Sequence, residues 1–322
     1  MGDANHLSEP PFMASDPPPS TGGMLWRVVG GIKTMRPHQW VKNVFVLAPV
    51  FFSKEFFHAD LLLRAFGAFC VFCLLASAVY TINDLVDVQA DRAHPVKRYR
   101  PIASGRFPVT AAKVLAVVLV VISLAGAAWG PIFFFATAVG YFVLNLAYSF
   151  RLKKVAYIDV GCIATGFVLR VLGGGFAAGI LISWYLLACT ALLALFLGFG
   201  KRRHELAQST RKGSKTRVAL DSYSPRALNI ALVLTASATV VTYAAYTLDP
   251  VIQRQFNSDW LWLTIPFTIF GVVRFLQLMA GRPRAESPTQ EMLRDTLFVF
   301  NIVVWALVAF AIVYRVRPEV GF

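Results

Sequence analysis

Cysteine is scarce in this sequence. The four present, Cys70, Cys73, Cys162 and Cys189, all lie inside apolar runs, so no disulfide framework is indicated. The Cys70-x-x-Cys73 pair has no His or further Cys nearby, which makes it two small packing residues rather than a zinc or redox centre. The apolar runs also lack the alternation of barrel strands, which excludes a transmembrane β-barrel. Residues 1–23 are rich in Pro, Ser and Gly and lack the apolar core of a signal peptide. They read as a disordered cytoplasmic tail. Neither long polar connection, 88–108 or 201–225, contains a Walker or dinucleotide glycine pattern, and there is no convincing internal repeat.

What the sequence has is apolar length. Hydrophobic residues make up 57% of the chain, and they fall in runs of about twenty, the length a helix needs to cross a bilayer. The runs predict an all-α membrane protein with about nine spans: 44–57, 61–82, 109–129, 132–150, 158–181, 184–199, 227–248, 261–279 and 297–313. The first is short. No linker separates them, so 24–322 reads as a single transmembrane domain. Residues 24–39 mix apolar and basic side chains, which suits either a short helix lying at the cytoplasmic interface or an irregular lead-in.

The net charge of +14 suggests nucleic acid only until its distribution is considered. Under nine spans one side receives Arg92, Lys97, Arg98, Arg100, Arg106, Arg151, Lys153, Lys154, the basic residues from Lys201 to Arg217, and Arg282, Arg284 and Arg294. The other side receives Lys54, Arg254 and the tail's Arg315 and Arg317. This is a topology signal rather than a nucleic-acid footprint. The positive-inside rule puts the rich side, and the N-terminus, in the cytoplasm. Trp129, Trp184, Trp260 and Trp262 then form an interfacial belt on the outer side.

Against this background the end of the second span stands out: Asn83, Asp84, Asp87 and Asp91. On a continuing helix at about 100° per residue they fall near 0°, 100°, 40° and 80°, one face about 100° wide. Carboxylates so crowded repel unless something positive sits among them. Oxygen-only donors suit Mg²⁺, which uses one or two carboxylates plus substrate phosphates; a solvated helix end is the plainer alternative. Polar clusters at membrane depth are functional by default. Arg92, Lys97, Arg98 and Arg100 follow at once. Basic groups beside such a face point to a ligand with several phosphates, two of the four touching it.

Two further segments belong to the same side. The stretch YSFRLKKVAYID places Tyr148, Lys153, Lys154, Tyr157 and Asp159 at the entry of the fifth span. Arg170 lies eleven residues past Asp159, about 16 Å deeper. An arginine there should pair with Asp159, another polar group or an anionic ligand. Gly173, Gly174 and Gly175 then permit either close helix approach or a helix break. The sixth span ends in GFGKRRHEL, where Lys201, Arg202 and Arg203 are either membrane anchors or phosphate ligands oriented by His204 and Glu205.

The motif Asn83-Asp84-x-x-Asp87-x-x-x-Asp91 at the end of a second span resembles the first aspartate-rich motif of the UbiA superfamily of membrane prenyltransferases. The resemblance runs over roughly 33–314 and implies a nine-helix bundle with cytoplasmic cap loops. Members typically carry a second aspartate-rich motif at the end of the sixth span. Here Gly200-Lys201-Arg202-Arg203-His204-Glu205 stands instead. RPHQWVKN at 36–43, DRAHPVKRYRPIASG at 91–105, Asp159-Val160, GKRRHEL, and Ser222-Tyr223 are similar to a narrower branch, which moves a phosphoribosyl group onto a decaprenyl-like polyprenyl phosphate.

That resemblance implies a Mg-dependent enzyme with two substrates, 5-phosphoribosyl diphosphate and a polyprenyl phosphate. It implies no nucleic-acid partner, a membrane-lipid environment, and a cytoplasm-facing site in a bacterial inner (plasma) membrane. It is compatible with a homo-oligomer. Asn83, Asp84, Asp87 and Asp91 are then the metal set, with Asp84, Asp87 and Asp159 catalytic. Gln39, Lys42, Asn43, Asp91, Arg92, Arg98, Arg100, Lys153, Tyr157, Arg170, Lys201, Arg202 and Arg203 are the substrate-binding candidates. A conventional prenyltransferase is the runner-up. A transporter is disfavoured, because charge gathers at one face with no matching pair of broken helices.

Overall fold

The computed structural model describes residues 23–212, 220, 222–281, 291–292 and 294–314. The tail expected to be disordered lies outside the described residues but for Gly23, as do Lys215, Arg217, Arg282, Arg284, Arg315 and Arg317. Among the described residues there is no strand. The α-helices with both ends among the described residues are α1 Met24–Met35, α2 Ala48–Phe52, α3 Ala59–Val86, α4 Val88–Ala93, α5 Val109–Ala128, α6 Ile132–Phe150, α7 Ile158–Ala178, α8 Trp184–Lys212, α9 Pro225–Leu248, α10 Pro250–Phe256, α11 Ile265–Gly281 and α12 Thr296–Val313. Eight helical segments, α3, α5 to α9, one containing most of α11, and α12, are long and apolar enough to cross a membrane. The chain is an all-α integral membrane protein.

The expected first span, 44–57, takes a different form. A 3-10 helix covers Pro37–Leu47, and α2 adds only five residues. Pro49 at the start of α2 has no N–H to extend a ladder, and Lys54 turns to φ +66 just beyond it. The sixth span differs in the opposite sense. α8 does not stop at 199 but runs to Lys212, so the first twelve residues of the 201–225 connection are helical. Arg202 with Glu205 at i,i+3 and His204 with Gln208 at i,i+4 support the extension from its own side chains.

The chain divides into two compact units: Met1–Pro37 with Ser77–Val120, and His38–Ala76 with Val121–Phe322. In the smaller unit, α1 is fixed by its buried face, Gly30, Gly31 and Thr34. Arg106 donates to the Trp26 carbonyl at 3.2 Å, and Ser77 donates to that of Met35 at 3.0 Å. Met24, Leu25, Val28 and Ile32 are exposed along one stripe of α1, as an interfacial helix requires.

In the larger unit α7 packs against α2, α6 and α8, and α8 packs against α9. One apolar cluster contains Val160, Phe196, Leu228 and Phe275; another contains Val46, Phe72, Leu75, Phe134 and Tyr141. The glycines of α7 serve close approach, since the helix continues unbroken through them. A Cβ on Gly174 would lie 1.7 Å from the Val46 carbonyl oxygen, so no larger residue fits without displacing backbone.

Candidate active site

The acidic face lies in the smaller unit. α3 ends at Val86, Asp87 is a turn residue, and α4 begins at Val88. The Asp87 N–H nevertheless donates to Asn83 O at 2.9 Å and the Asp91 N–H to Asp87 O at 2.8 Å. The helical phase therefore crosses the junction. Asp84 and Asp91 are buried, at 3% and 2% exposure, and Asn83 and Asp87 half-buried.

Arginine supplies positive charge to Asp84 and Asp91. Arg36 Nη2 donates to Asp84 Oδ1 at 2.6 Å. Arg100 Nη1 reaches Asp84 Oδ1 at 3.2 Å and Asp91 Oδ2 at 2.7 Å. Arg36 also lies 5.1 Å from the Tyr80 ring centroid. Arg92 donates to the Ala103 carbonyl at 3.2 Å, and Arg98 lies over the Tyr99 ring.

Among the described residues no three His, Cys, Asp or Glu side chains form a ready-made metal cluster. The donor chemistry still fits Mg²⁺. The Arg36 and Arg100 bonds fall on Asp84 Oδ1 and Asp91 Oδ2 alone. One further oxygen on each buried carboxylate remains outside these ion pairs, and Mg²⁺ needs only one or two carboxylates beside phosphate oxygens.

Two polar centres of the larger unit contain residues singled out in the sequence. At mid-helix in α7, Arg170 is 7% exposed. Its Nε donates to Asn43 Oδ1 at 2.7 Å, Nη1 to the Gly166 carbonyl at 2.9 Å and Nη2 to Tyr141 Oη at 2.8 Å. Its partner is thus a polar group rather than Asp159. Asn43 is fully buried, and its amide donates to Cys73 Sγ at 3.3 Å. Asn43 thereby ties the 3-10 segment to α7 and α3. Gln39 and Lys42, on the same segment, are half-buried.

The second centre surrounds Asp159, which is fully buried with Arg202 at 1% exposure. Arg202 Nε lies 2.8 Å from Asp159 Oδ2 but is misaligned for a hydrogen bond, so the attraction is coulombic. Arg202 also pairs with Glu205. Tyr223 Oη donates to Asp159 Oδ1 and accepts from the Tyr157 N–H at 2.7 Å. Burial and the Asp159 hydrogen bond push the Tyr223 phenol pKa up, so it remains a donor.

Tyr157 itself is strained. It has φ 65° and ψ −41°, and the Ile158 N–H closes onto Ala156 O at 2.8 Å, a positive-φ γ-turn. For a bulky residue such backbone costs roughly 1–3 kcal/mol and persists only where neighbours over-determine it. Its ring centroid lies 4.7 Å from that of Tyr223. Lys153 is half-buried on the 3-10 turn Leu152–Lys154, Lys201 is half-buried, and Arg203 donates to Asn229 Oδ1 at 2.8 Å.

Of the candidates, the smaller unit brings Asp84, Asp91 and Arg100 together, and the larger brings Asn43 to Arg170 and Asp159 to Arg202. Arg36, Tyr141 and Tyr223 join these centres without having been assigned a role from sequence. Arg36 lies 48 residues from Asp84, and Tyr223 lies 64 from Asp159. No local periodicity reports such pairs; only the motifs RPHQWVKN and Ser222-Tyr223 marked the positions.

The arrangement is a bundle of helices long and apolar enough to cross a membrane, with an acidic face at the end of one of them. The model of the UbiA prenyltransferase family matches residues 44–302, and the chain belongs to that family. It is 37% identical over 314 residues to the Decaprenyl-phosphate phosphoribosyltransferase of Mycolicibacterium smegmatis, covering 94% of this chain and 96% of that one. The Corynebacterium glutamicum protein of the same name is 36% identical over 298 residues, 88% of this chain and 87% of that one. Among solved structures, a UbiA homolog from Archaeoglobus fulgidus bound to DMAPP and Mg²⁺ superposes with a TM-score of 0.65 at 20% identity, covering 89% and 99% of the two chains. That last likeness establishes the fold alone.

Proposed function

We propose that this enzyme transfers a 5-phosphoribosyl group from 5-phosphoribosyl diphosphate to a decaprenyl-like polyprenyl phosphate, releasing diphosphate. The observation that carries the reading is the 37% identity to a named decaprenyl-phosphate phosphoribosyltransferase over nearly the full length of both chains. The end of α8 supports it. A conventional prenyltransferase is expected to carry acids there, whereas Lys201, Arg202 and Arg203 stand here.

In the reaction, a phosphate oxygen of the lipid bonds to C1 of the ribose as the C1–O bond to diphosphate breaks. The electron pair departs with the diphosphate, and the configuration at C1 inverts. The acceptor is already anionic, so no strong general base is required. Asn83, Asp84, Asp87 and Asp91 would hold Mg²⁺, which when bound supplies neutralisation of charge on the leaving diphosphate. Arg36 and Arg100 present guanidinium forks suited to phosphate oxygens. The asymmetry of Lys and Arg supports a cytoplasmic N-terminus and a cytoplasm-facing site in a bacterial inner membrane.

Purified protein in detergent, given radiolabelled 5-phosphoribosyl diphosphate, a polyprenyl phosphate and Mg²⁺, should move label into the organic phase, and a chelator should abolish the transfer. Label that stays aqueous, while labelled prenyl diphosphates react with aromatic acceptors, would replace this reading with conventional prenyl transfer.

A further inference from the structure

Two guanidiniums occupy the ground on which the acidic face would receive a divalent cation. Arg36 and Arg100 converge on one atom, Asp84 Oδ1, at 2.6 Å and 3.2 Å, and Arg100 extends to Asp91 Oδ2 at 2.7 Å. The two sides of these pairs differ in freedom. The carboxylates are each 3% exposed at the side chain, whereas Arg36 is 26% and Arg100 30% exposed. The acids are fixed in the protein, and the cations can turn toward water or toward an incoming anion.

The placement of Arg36 is also built in. It caps α1 with a left-handed backbone, φ 53° and ψ 58°, and Pro37 follows. A non-glycine residue is seldom found there unless its surroundings hold it; here the Asp84 pair and the Tyr80 ring do so. A metal held by the Asp84 carboxylate would meet the charge of both guanidiniums that pair with it, and like charges repel.

We infer that Arg36 and Arg100 are exchangeable placeholders. They neutralise Asp84 and Asp91 before the metal arrives, compete with it for the carboxylates, and pass to the phosphate oxygens of the ribosyl donor when metal and donor bind. This rests on the proposed function for the metal and the diphosphate. It goes further by giving the same two arginines opposite effects on two ligands: they weaken metal binding in the free enzyme and strengthen donor binding.

The test uses Mn²⁺ as the probe, with free Mn²⁺ read by electron paramagnetic resonance on the full-length protein in detergent. Wild type is compared with Arg36→Gln and Arg100→Gln, with and without 5-phosphoribosyl diphosphate. Without donor, each substitution should tighten Mn²⁺ binding by about tenfold, because a competing positive charge has gone. Donor affinity should fall by a similar factor, because a charge-assisted bond to phosphate is lost. Arg100→Lys, which keeps the charge but offers phosphate a point charge in place of a planar fork, should fall between. Unchanged or weaker Mn²⁺ binding in both Gln variants, with wild type still binding Mn²⁺ and donor together, would overturn the inference and leave the proposed function standing. Failure of every form to bind Mn²⁺, with or without donor, would remove both.

Discussion

Two of the carboxylate–arginine centres among the described residues, at Asp84 with Asp91 and at Asp159, look alike on paper and differ in one respect. At Asp84 and Asp91 the acids are buried and the arginines are a quarter to a third exposed. At Asp159 both ends are sealed, with Asp159 at 0% and Arg202 at 1%. A pair whose cation reaches solvent can exchange it, at a cost softened by water. A pair closed on both sides cannot, since opening it strands a charge in a low dielectric. The first centre therefore suits ligand chemistry, and the second suits a lock that joins α7, α8 and the Tyr223 segment. Arg202, a candidate phosphate ligand from sequence, is committed in this structure to Asp159 and Glu205.

The difference can be broken from either side. Asp84→Asn and Asp87→Asn should each lower transfer by about a hundredfold or more, the scale of lost electrostatic stabilisation in such sites, with only a modest change in thermal unfolding; the check is turnover and melting on the same preparations. Arg202→Met should do the reverse and act first on the fold, lowering stability by roughly 3–5 kcal/mol because Asp159 is left buried and unpaired. Recovery of much of that loss in Arg202→Met with Asp159→Leu would identify the stranded charge as the cause.

A smaller effect is expected at the strained turn. Tyr223→Phe removes the donor to Asp159 and the acceptor for the Tyr157 N–H, a loss of about 1–3 kcal/mol. Adding Tyr157→Gly should recover part of it, since glycine adopts φ 65° without a tether; melting curves of the single and double variants decide this. The smallest change belongs to Glu205→Gln. Its side chain is 25% exposed, and such partly solvated pairs contribute within about 1 kcal/mol. A large loss there would show that water screens the Arg202–Glu205 pair less than the exposure of Glu205 indicates.

How far these centres were legible in sequence follows from how local each feature is. Spans and the common face of Asn83, Asp84, Asp87 and Asp91 depend on periodicity over a few turns, and the backbone bonds across Asp87 preserve that phase. The 3-10 form of 37–47 was not legible, because an apolar run with one proline reads equally well as a short span. Nor was the extension of α8, whose support comes from i,i+3 and i,i+4 pairs in a stretch that hydropathy treats as a connection. The identity of each acid's partner was the least legible. Helical phase narrows Arg170 to a face, but the choice of Asn43 over Asp159 is made by tertiary packing across 127 residues of chain. The same holds for Arg36.

The most direct test of the account is ³¹P NMR of the complete reaction, with 5-phosphoribosyl diphosphate, a polyprenyl phosphate, Mg²⁺ and wild-type protein in detergent. The account predicts a new phosphodiester resonance that grows one-for-one with free diphosphate, and neither signal in Asp84→Asn. Diphosphate released without a phosphodiester, or both signals undiminished in Asp84→Asn, would contradict it.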